Sequence, residues 1–282
     1  MGHDKLRKFA ENETFRCLLQ PDAASVLDKS ADPSEGLKLK EHPIRGHWNE
    51  KMFAAAQPIV LELGCGKGEY TIDLSRREPS ANYIGVDIKG ARLWKGAKAA
   101  TQDNLPNVAF LRTRIEFIDA FFAPEEVSEV WLTFSDPQMK SENSRLTSPL
   151  FLERYRRFLK PGGIIHLKTD SRFLHEYSKA VAHENGLTIL ACTDDLYGEG
   201  RQSVMDSPLR SVSGKSAVDA LFEVRTFYER MFMEQGYKIT YLSFVIDHEG
   251  PFRHPESFDS DYWRSVEGPR HFAHSPEKKN KD

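Results

Sequence analysis

The stretch Leu61-Glu62-Leu63-Gly64-Cys65-Gly66-Lys67-Gly68 constrains this chain more than any other. The apolar run Pro58-Ile59-Val60 leads into it and suits a parallel strand covered on both faces. A helical pattern follows, from Glu69 to about Arg77. Glycines lack a Cβ, so the backbone can turn tightly between strand and helix and lie close to a ligand. A second apolar run, Tyr83-Ile84-Gly85-Val86, then ends in Asp87. A carboxylate at a strand end about 20 residues beyond such a loop suits the hydroxyls of a ribose.

The same rhythm continues along the chain. Strand patterns fall at 58–63, 82–87, 108–113, 128–134, 163–169, 187–192 and 239–246, with helical patterns near 69–78, 90–103, 116–122, 148–159 and 172–185. Lys160-Pro161-Gly162-Gly163 reads as the end of one helix and the turn into the next strand. This alternation predicts an α/β fold: a Rossmann-like, mostly parallel seven-stranded sheet with helices on both faces. Residues 1–50 are polar, carry Pro21, Pro33 and Pro43, and read as an extension with little regular structure. Residues 198–216, with their glycines, serines, Pro208, Arg201, Arg210 and Lys215, read as a mobile loop. From Asp247 onward the composition is that of a tail, 247–282, whose last ten or so residues are expected to be disordered.

Bulk properties narrow the function. With 282 residues the chain can bury a sizeable core without disulfides. A net charge of −3 gives no global basic field, so any RNA binding rests on local patches. Cys17, Cys65 and Cys192 are widely spaced and form no Cys-x-x-Cys pair, which fits a reducing, cytoplasmic setting and leads us to expect no metal. No apolar run approaches the roughly 18 residues of a membrane span, and the first residues lack the apolar core of a signal peptide.

The spacing of the glycines selects the ligand. A dinucleotide loop reads Gly-x-Gly-x-x-Gly, but here Glu69 stands where its third glycine belongs. A carboxylate at that helix start opposes a pyrophosphate, and Glu62 suits a cation. S-adenosylmethionine carries an ammonium and a sulfonium and no phosphate, so a methyl donor fits better. A second constellation faces the same sheet edge. The strand Val130-Trp131-Leu132-Thr133-Phe134 exits through Ser135-Asp136-Pro137, where proline stops the ladder, and a later strand exits through Lys168-Thr169-Asp170. Each aspartate alone reads equally as a turn residue. Two beside a donor loop point to a reaction centre.

With these motifs in view, the chain resembles the bacterial tRNA (guanine-N7)-methyltransferases from about Gly46 to Val245. The resemblance rests on Gly46-His47-Trp48-Asn49-Glu50, the glycine loop, Phe134-Ser135-Asp136-Pro137, Lys160-Pro161-Gly162-Gly163, His166-Leu167-Lys168-Thr169-Asp170 and Thr226-Phe227-Tyr228-Glu229-Arg230. It implies a methyltransferase domain over 51–246 that methylates N7 of a tRNA guanosine, in the variable loop, with S-adenosylmethionine as donor. Glu62, Gly64, Gly66, Gly68 and Asp87 would bind the donor, and Asp136 would sit at the reaction centre and near the donor. Lys140, Asp170, Thr226 and Glu229 would hold the tRNA or its guanosine. Arg114 stands where the family commonly has an acidic or amide residue near the adenine.

One stretch departs from the family. Where a dense basic run usually follows the aspartate, this chain has only Lys140 and Arg145, opposed by Glu142. Two other basic sets are candidates to compensate: Lys5, Arg7, Lys8 and Arg16 on a flexible N-terminal arm, and Lys89, Arg92, Lys95 and Lys98 on one helix face. Methylation of another RNA or of a small molecule, and a non-catalytic RNA-binding module, are the alternatives, and both monomer and homodimer stay open.

Overall fold

Residues 59–63 are buried along their whole length and form the central strand β2 (Ile59–Leu63). In the computed structural model, which describes residues 3–28 and 38–268, β2 lies between β3 (Asn82–Asp87) and β5 (Val127–Thr133), parallel to both. β4 (Val108–Arg112) continues the sheet beyond β3, and β6 (Leu159–Thr169) continues it beyond β5. The chain therefore builds outward on one side of β2 and then returns to build on the other. An open parallel sheet has its ligand crevice at such a reversal, outside the C-terminal strand ends. β8 (Thr240–Val245) inserts antiparallel between β6 and β7 (Ile189–Thr193).

Side chains alternate across this sheet with a period of two. Leu61, Leu63, Ile84, Val86, Leu132 and Leu167 join one apolar cluster, whereas Val60, Tyr83, Trp131, Ile164 and Tyr241 join another on the opposite face. Helices α3 (Glu69–Arg77), α4 (Gly90–Gln102), α5 (Pro149–Arg156) and α6 (Arg172–Glu184) match the helical patterns. The pattern at 116–122 is instead a 3-10 helix, Ile115–Ala120.

Among the described residues the sheet has eight strands, not seven, in the order β1-β4-β3-β2-β5-β6-β8-β7. The extra strand, β1 (Leu18–Leu19), pairs parallel with the edge strand β4, and the Phe110 amide donates to the Cys17 carbonyl at 2.6 Å. Two residues are too few to show an alternation. Residues 3–12, expected as part of a flexible arm, are helical. Helix α1 (His3–Asn12) packs on α4: Asn12 Nδ2 donates to the Gly90 carbonyl at 2.9 Å, Trp94 Nε1 donates to Glu11 at 2.8 Å, and Arg112 lies 5.1 Å over the Phe9 ring.

Three further expectations change. The stretch 198–216 is largely helical, running through α7 (Gly200–Met205) and α8 (Leu209–Val212) into α9 (Gly214–Glu223). Buried Val204, Leu209, Val218 and Leu221 hold it on the core, outweighing its glycines and proline. Lys160-Pro161-Gly162-Gly163 lies inside β6, where Gly162 adopts φ +77° and the pairing with β5 shifts register. The tail carries α11 (Ser260–Glu267), packed on α6, while the terminal segment expected to be disordered lies outside the described residues.

The Trp48 motif forms α2 (Trp48–Lys51) at the N-terminal strand edge, away from the crevice. Trp48 is fully buried, stacks on Phe122 at 5.3 Å and donates to the Phe121 carbonyl at 2.9 Å, while Asn49 accepts from Asn82 at 2.7 Å. That motif is scaffold. Among the described residues, no helix is long and apolar enough to cross a membrane.

Candidate active site

The loop after β2 folds back onto β3. The amides of Gly64 and Cys65 donate to the Val86 carbonyl at 2.8 and 3.0 Å, and the Gly68 amide donates to the Cys65 carbonyl at 2.8 Å. Gly64, Gly66 and Gly68 all have positive φ: +79°, +57° and +71°. They differ in surroundings. A Cβ on Gly68 would lie 2.6 Å from the Phe110 ring, so packing as well as backbone requires glycine there. A Cβ on Gly64 or Gly66 would meet nothing within 4 Å. The backbone at these two positions borders open space, as a ligand cradle requires.

Two carboxylates frame the cradle. Asp87 is 8% exposed and accepts from the Gly66 amide at 3.0 Å and the Lys89 amide at 2.7 Å, tying the loops after β2 and β3 together. Glu62 is 4% exposed. It accepts from the Thr71 amide at 2.9 Å and from the hydroxyls of Thr71 and Thr133. Burial pushes the Glu62 carboxyl up to about 7, against the pull of these bonds. Neither threonine stood out in the sequence as part of the site.

The other wall comes from β5 and β6. The Phe134 amide donates to the Lys168 carbonyl at 2.9 Å, so the two strands leave the sheet side by side. Asp136 is exposed, and its Oδ1 accepts from the Gln138 amide at 2.9 Å, a side-chain turn around Pro137. Asp170 follows at the end of β6 and is buried. Lys140 is exposed, whereas Arg145 is only 3% exposed and lies 4.7 and 4.3 Å over the rings of Phe173 and Tyr177. Of the two basic residues after Asp136, Lys140 alone is presented to a polyanion. Arg114, beyond β4, is exposed and paired with Glu116 at 3.1 Å.

Thr226 and Glu229 open helix α10 (Phe227–Glu234) as a capping box: the Glu229 amide donates to Thr226 Oγ1 at 3.2 Å and the Thr226 amide to Glu229 Oε2 at 3.3 Å. Glu229, expected with Thr226 to hold the tRNA or its guanosine, is turned into the protein in this structure. Glu229 has no exposed surface, pairs with Lys168 Nζ at 2.8 Å and accepts from the Tyr197 hydroxyl. Lys168 is equally buried and also donates to the carbonyls of Leu221 at 2.8 Å and Val224 at 3.2 Å. Burial pushes its amine down to about 8 despite the neighbouring carboxylate.

At its start α10 presents two aromatic rings. Phe227 and Tyr228 are 39% and 37% exposed. The Phe227 amide donates to Glu69 at 2.9 Å, Lys67 Nζ lies 4.5 Å over the Phe227 ring, and Arg92 donates to the Tyr228 hydroxyl at 3.3 Å. The basic helix face is thus largely engaged within the protein, with Lys95 3.5 Å from Glu69 and Lys98 3.0 Å from Glu11. Nothing in the sequence announces that α10 docks on the glycine loop, because the partners are 158 residues apart.

Known proteins agree with this architecture. A family model described as "Putative methyltransferase" matches residues 56–209, more than half of the chain. A tRNA (guanine-N(7)-)-methyltransferase of Bacteroides fragilis is 44% identical over 266 residues, covering 94% of this chain and 95% of that protein. One from Porphyromonas gingivalis is 47% identical over 225 residues, covering 79% and 86%. Among solved structures, the 16S rRNA methyltransferase KamB shares the fold, with a TM-score of 0.50 at 15% identity over 74% of this chain and 95% of that one. Such identity over nearly the whole length, on a parallel sheet with a glycine cradle at its reversal point, makes the chain a member of the tRNA (guanine-N(7)-)-methyltransferase family.

Proposed function

We propose that this protein transfers a methyl group from S-adenosylmethionine to N7 of a guanosine in the variable loop of tRNA, in the cytoplasm. The observation that carries the reading is the crevice at the β2–β5 reversal. Its β2 side holds the open glycine cradle with Asp87, and its β5 side holds the exposed Asp136. The donor half suits S-adenosylmethionine chemically. Asp87 offers acceptors to a ribose diol, and Glu62 supplies negative charge below a cradle that lacks a free pyrophosphate site, since Glu69 occupies the helix start. Free thiols at Cys17, Cys65 and Cys192 support the cytoplasmic setting.

Guanine N7 has an in-plane lone pair and needs no deprotonation before it attacks the methyl group. The N7–carbon bond forms as the sulfur–carbon bond breaks, and the electron pair of that bond leaves with the sulfur. Alignment of nucleophile, methyl and sulfur is then the main catalytic demand. The base becomes cationic as the bond forms, and a fixed carboxylate at Asp136 stabilises that charge. Lys140 meets the tRNA backbone, and Asp170 follows β6, the strand paired with β5, at the same end of the sheet. Exposed Phe227 and Tyr228 are suited to stack on an unstacked base.

The test is transfer of labelled methyl from S-adenosylmethionine to unmodified tRNA, followed by mapping of the modified nucleotide. N7-methylguanosine in the variable loop is the expected product. A different modified base, or label only in another RNA or a small molecule, refutes the assignment. Donor binding without any transfer indicates a binding module.

A further inference from the structure

The loop that follows Asp136 is held from outside. Its own backbone bonds are local: Ser141 to Gln138, Ser144 to Ser141 and Arg145 to Glu142, each at 3.1 Å. Bonds between residues three apart set the curvature of a loop but not its place on the sheet. That place is set by contacts beyond the loop: Arg145 lies over the Phe173 and Tyr177 rings, and the C-terminal segment holds the middle of the loop. Arg264 of α11 donates through Nη2 to the Met139 carbonyl at 3.0 Å, next to Lys140. His254 bonds Asn143 Oδ1 through Nε2 at 3.1 Å and faces Glu142 through Nδ1 at 3.2 Å. The partners are 125 and 111 residues apart in sequence.

The segment that makes these contacts is itself anchored. Phe258 packs edge-on against Phe173 at 5.4 Å and Tyr177 at 5.3 Å, the same two rings that sandwich Arg145. Glu267 accepts from the Phe173 amide at 3.0 Å, and Arg172 lies 5.7 Å over the Trp263 ring. A chain of contacts therefore runs from α6 through α11 to the loop bearing Lys140. Arg264 is 44% exposed and also bonds Asp261 at 2.7 Å, so it is a tether and not a core residue.

We propose that the C-terminal segment 252–267 is a latch for the acceptor loop, with Arg264 and His254 as positioning residues that place Lys140 for tRNA. This rests on the tRNA reading above. With Arg145 buried in the aromatic sandwich, Lys140 is the one exposed cation of the 136–145 stretch. A single phosphate contact gains affinity only if its loop is fixed beforehand, because ordering the loop on binding costs entropy.

Arg264→Ala and Arg264→Lys test it in the full chain by hydrogen–deuterium exchange and steady-state methyl transfer. In Arg264→Ala, exchange across 138–145 is expected to accelerate and the KM for tRNA to rise about three- to tenfold, the scale of one lost hydrogen bond. The kcat and the melting temperature should hold. Arg264→Lys, which keeps a donor for the Met139 carbonyl, should recover most of the KM. Unchanged exchange overturns the latch, as does faster exchange with an unchanged KM. A fall in melting temperature with kcat and KM moving together marks α11 as structural only and also overturns it. The exchange measurement stands apart from turnover. A wild type that modifies no tRNA therefore refutes the functional reading and the substrate role of the latch, while the loop contact itself is still decided by exchange.

Discussion

Glu62 and Glu229 are both buried carboxylates, at 4% and 0% exposure, yet the fold treats them in opposite ways. Around Glu62 the donors are neutral, an amide and two hydroxyls, and burial holds the carboxyl near 7. Glu229 faces a buried cation, Lys168, at 2.8 Å. A buried negative charge needs a countercharge. Glu229 has found one inside the protein and serves to fix α10. Glu62 keeps its demand, and on the function proposed here a cationic donor answers it. On that reading, the difference separates a carboxylate that holds α10 in place from one that meets the donor.

The sharpest way to break this contrast is to remove the internal cation. Lys168→Met leaves Glu229 buried without a countercharge and should cost about 3–5 kcal/mol in denaturant unfolding, with much of it recovered in the Lys168→Met/Glu229→Gln double variant. A loss below about 1 kcal/mol, the scale of an exposed pair, would show that the buried pair contributes little.

Glu62 should show its difference in pH dependence. Its folded pKa is raised from 4.5 to about 7, so the folded chain retains a proton that the unfolded chain releases. The stability from this group is complete below about 4.5 and is lost as the pH rises through about 7. Glu62→Gln has no such loss. Its stability relative to the wild type should improve by at most about 3 kcal/mol between about pH 5 and pH 8, at 1.36 kcal/mol per unit. Thermal unfolding of both proteins across that range measures it. Parallel curves would mean that Glu62 is compensated within the protein, as Glu229 is.

Asp136 lies outside the contrast: it is exposed, and on the function proposed here it meets charge that appears only during reaction. Asp136→Asn keeps an oxygen for the Gln138 amide and hence the turn, but loses the charge. Single-turnover transfer to saturating tRNA should slow about 100-fold, with donor affinity retained. A wild-type rate would reduce Asp136 to a turn residue. The smallest effect is expected at Lys140. Lys140→Ala should lower the slope of log affinity against log salt by almost one unit, as for one phosphate contact. An unchanged slope would move the RNA contact elsewhere on the surface.

How far the sequence reveals this protein depends on the range of the interactions involved. The unit from β2 through the glycine loop and α3 to Asp87 was legible because it is contiguous and obeys local rules: a buried strand, positive φ at glycines and a helix start. The turn at Asp136 was legible for the same reason. The region 198–216 misled, because its glycines and proline are local signals, whereas burial of Val204 and Leu209 is decided by the sheet beneath them. The first residues misled similarly. Their charges suggested a free arm, but Phe9, Glu11 and Asn12 find Arg112, Trp94 and Gly90 only once α4 and β4 are in place.

The sequence by itself thus determined the class of fold, the glycine loop and the strand ends that carry the acidic residues, since short-range geometry dictates all three. Only the tertiary structure decided which acidic residues are spent inside the protein, that Arg145 is sheltered while Lys140 is presented, and that Arg264 reaches the loop after Asp136. A side chain's type sets its charge, but its partner sets whether that charge is available. Those partners are distant in sequence, as with Glu229 for Lys168, Tyr177 for Arg145 and Arg264 for Met139, and lie along no pattern that a linear sequence displays.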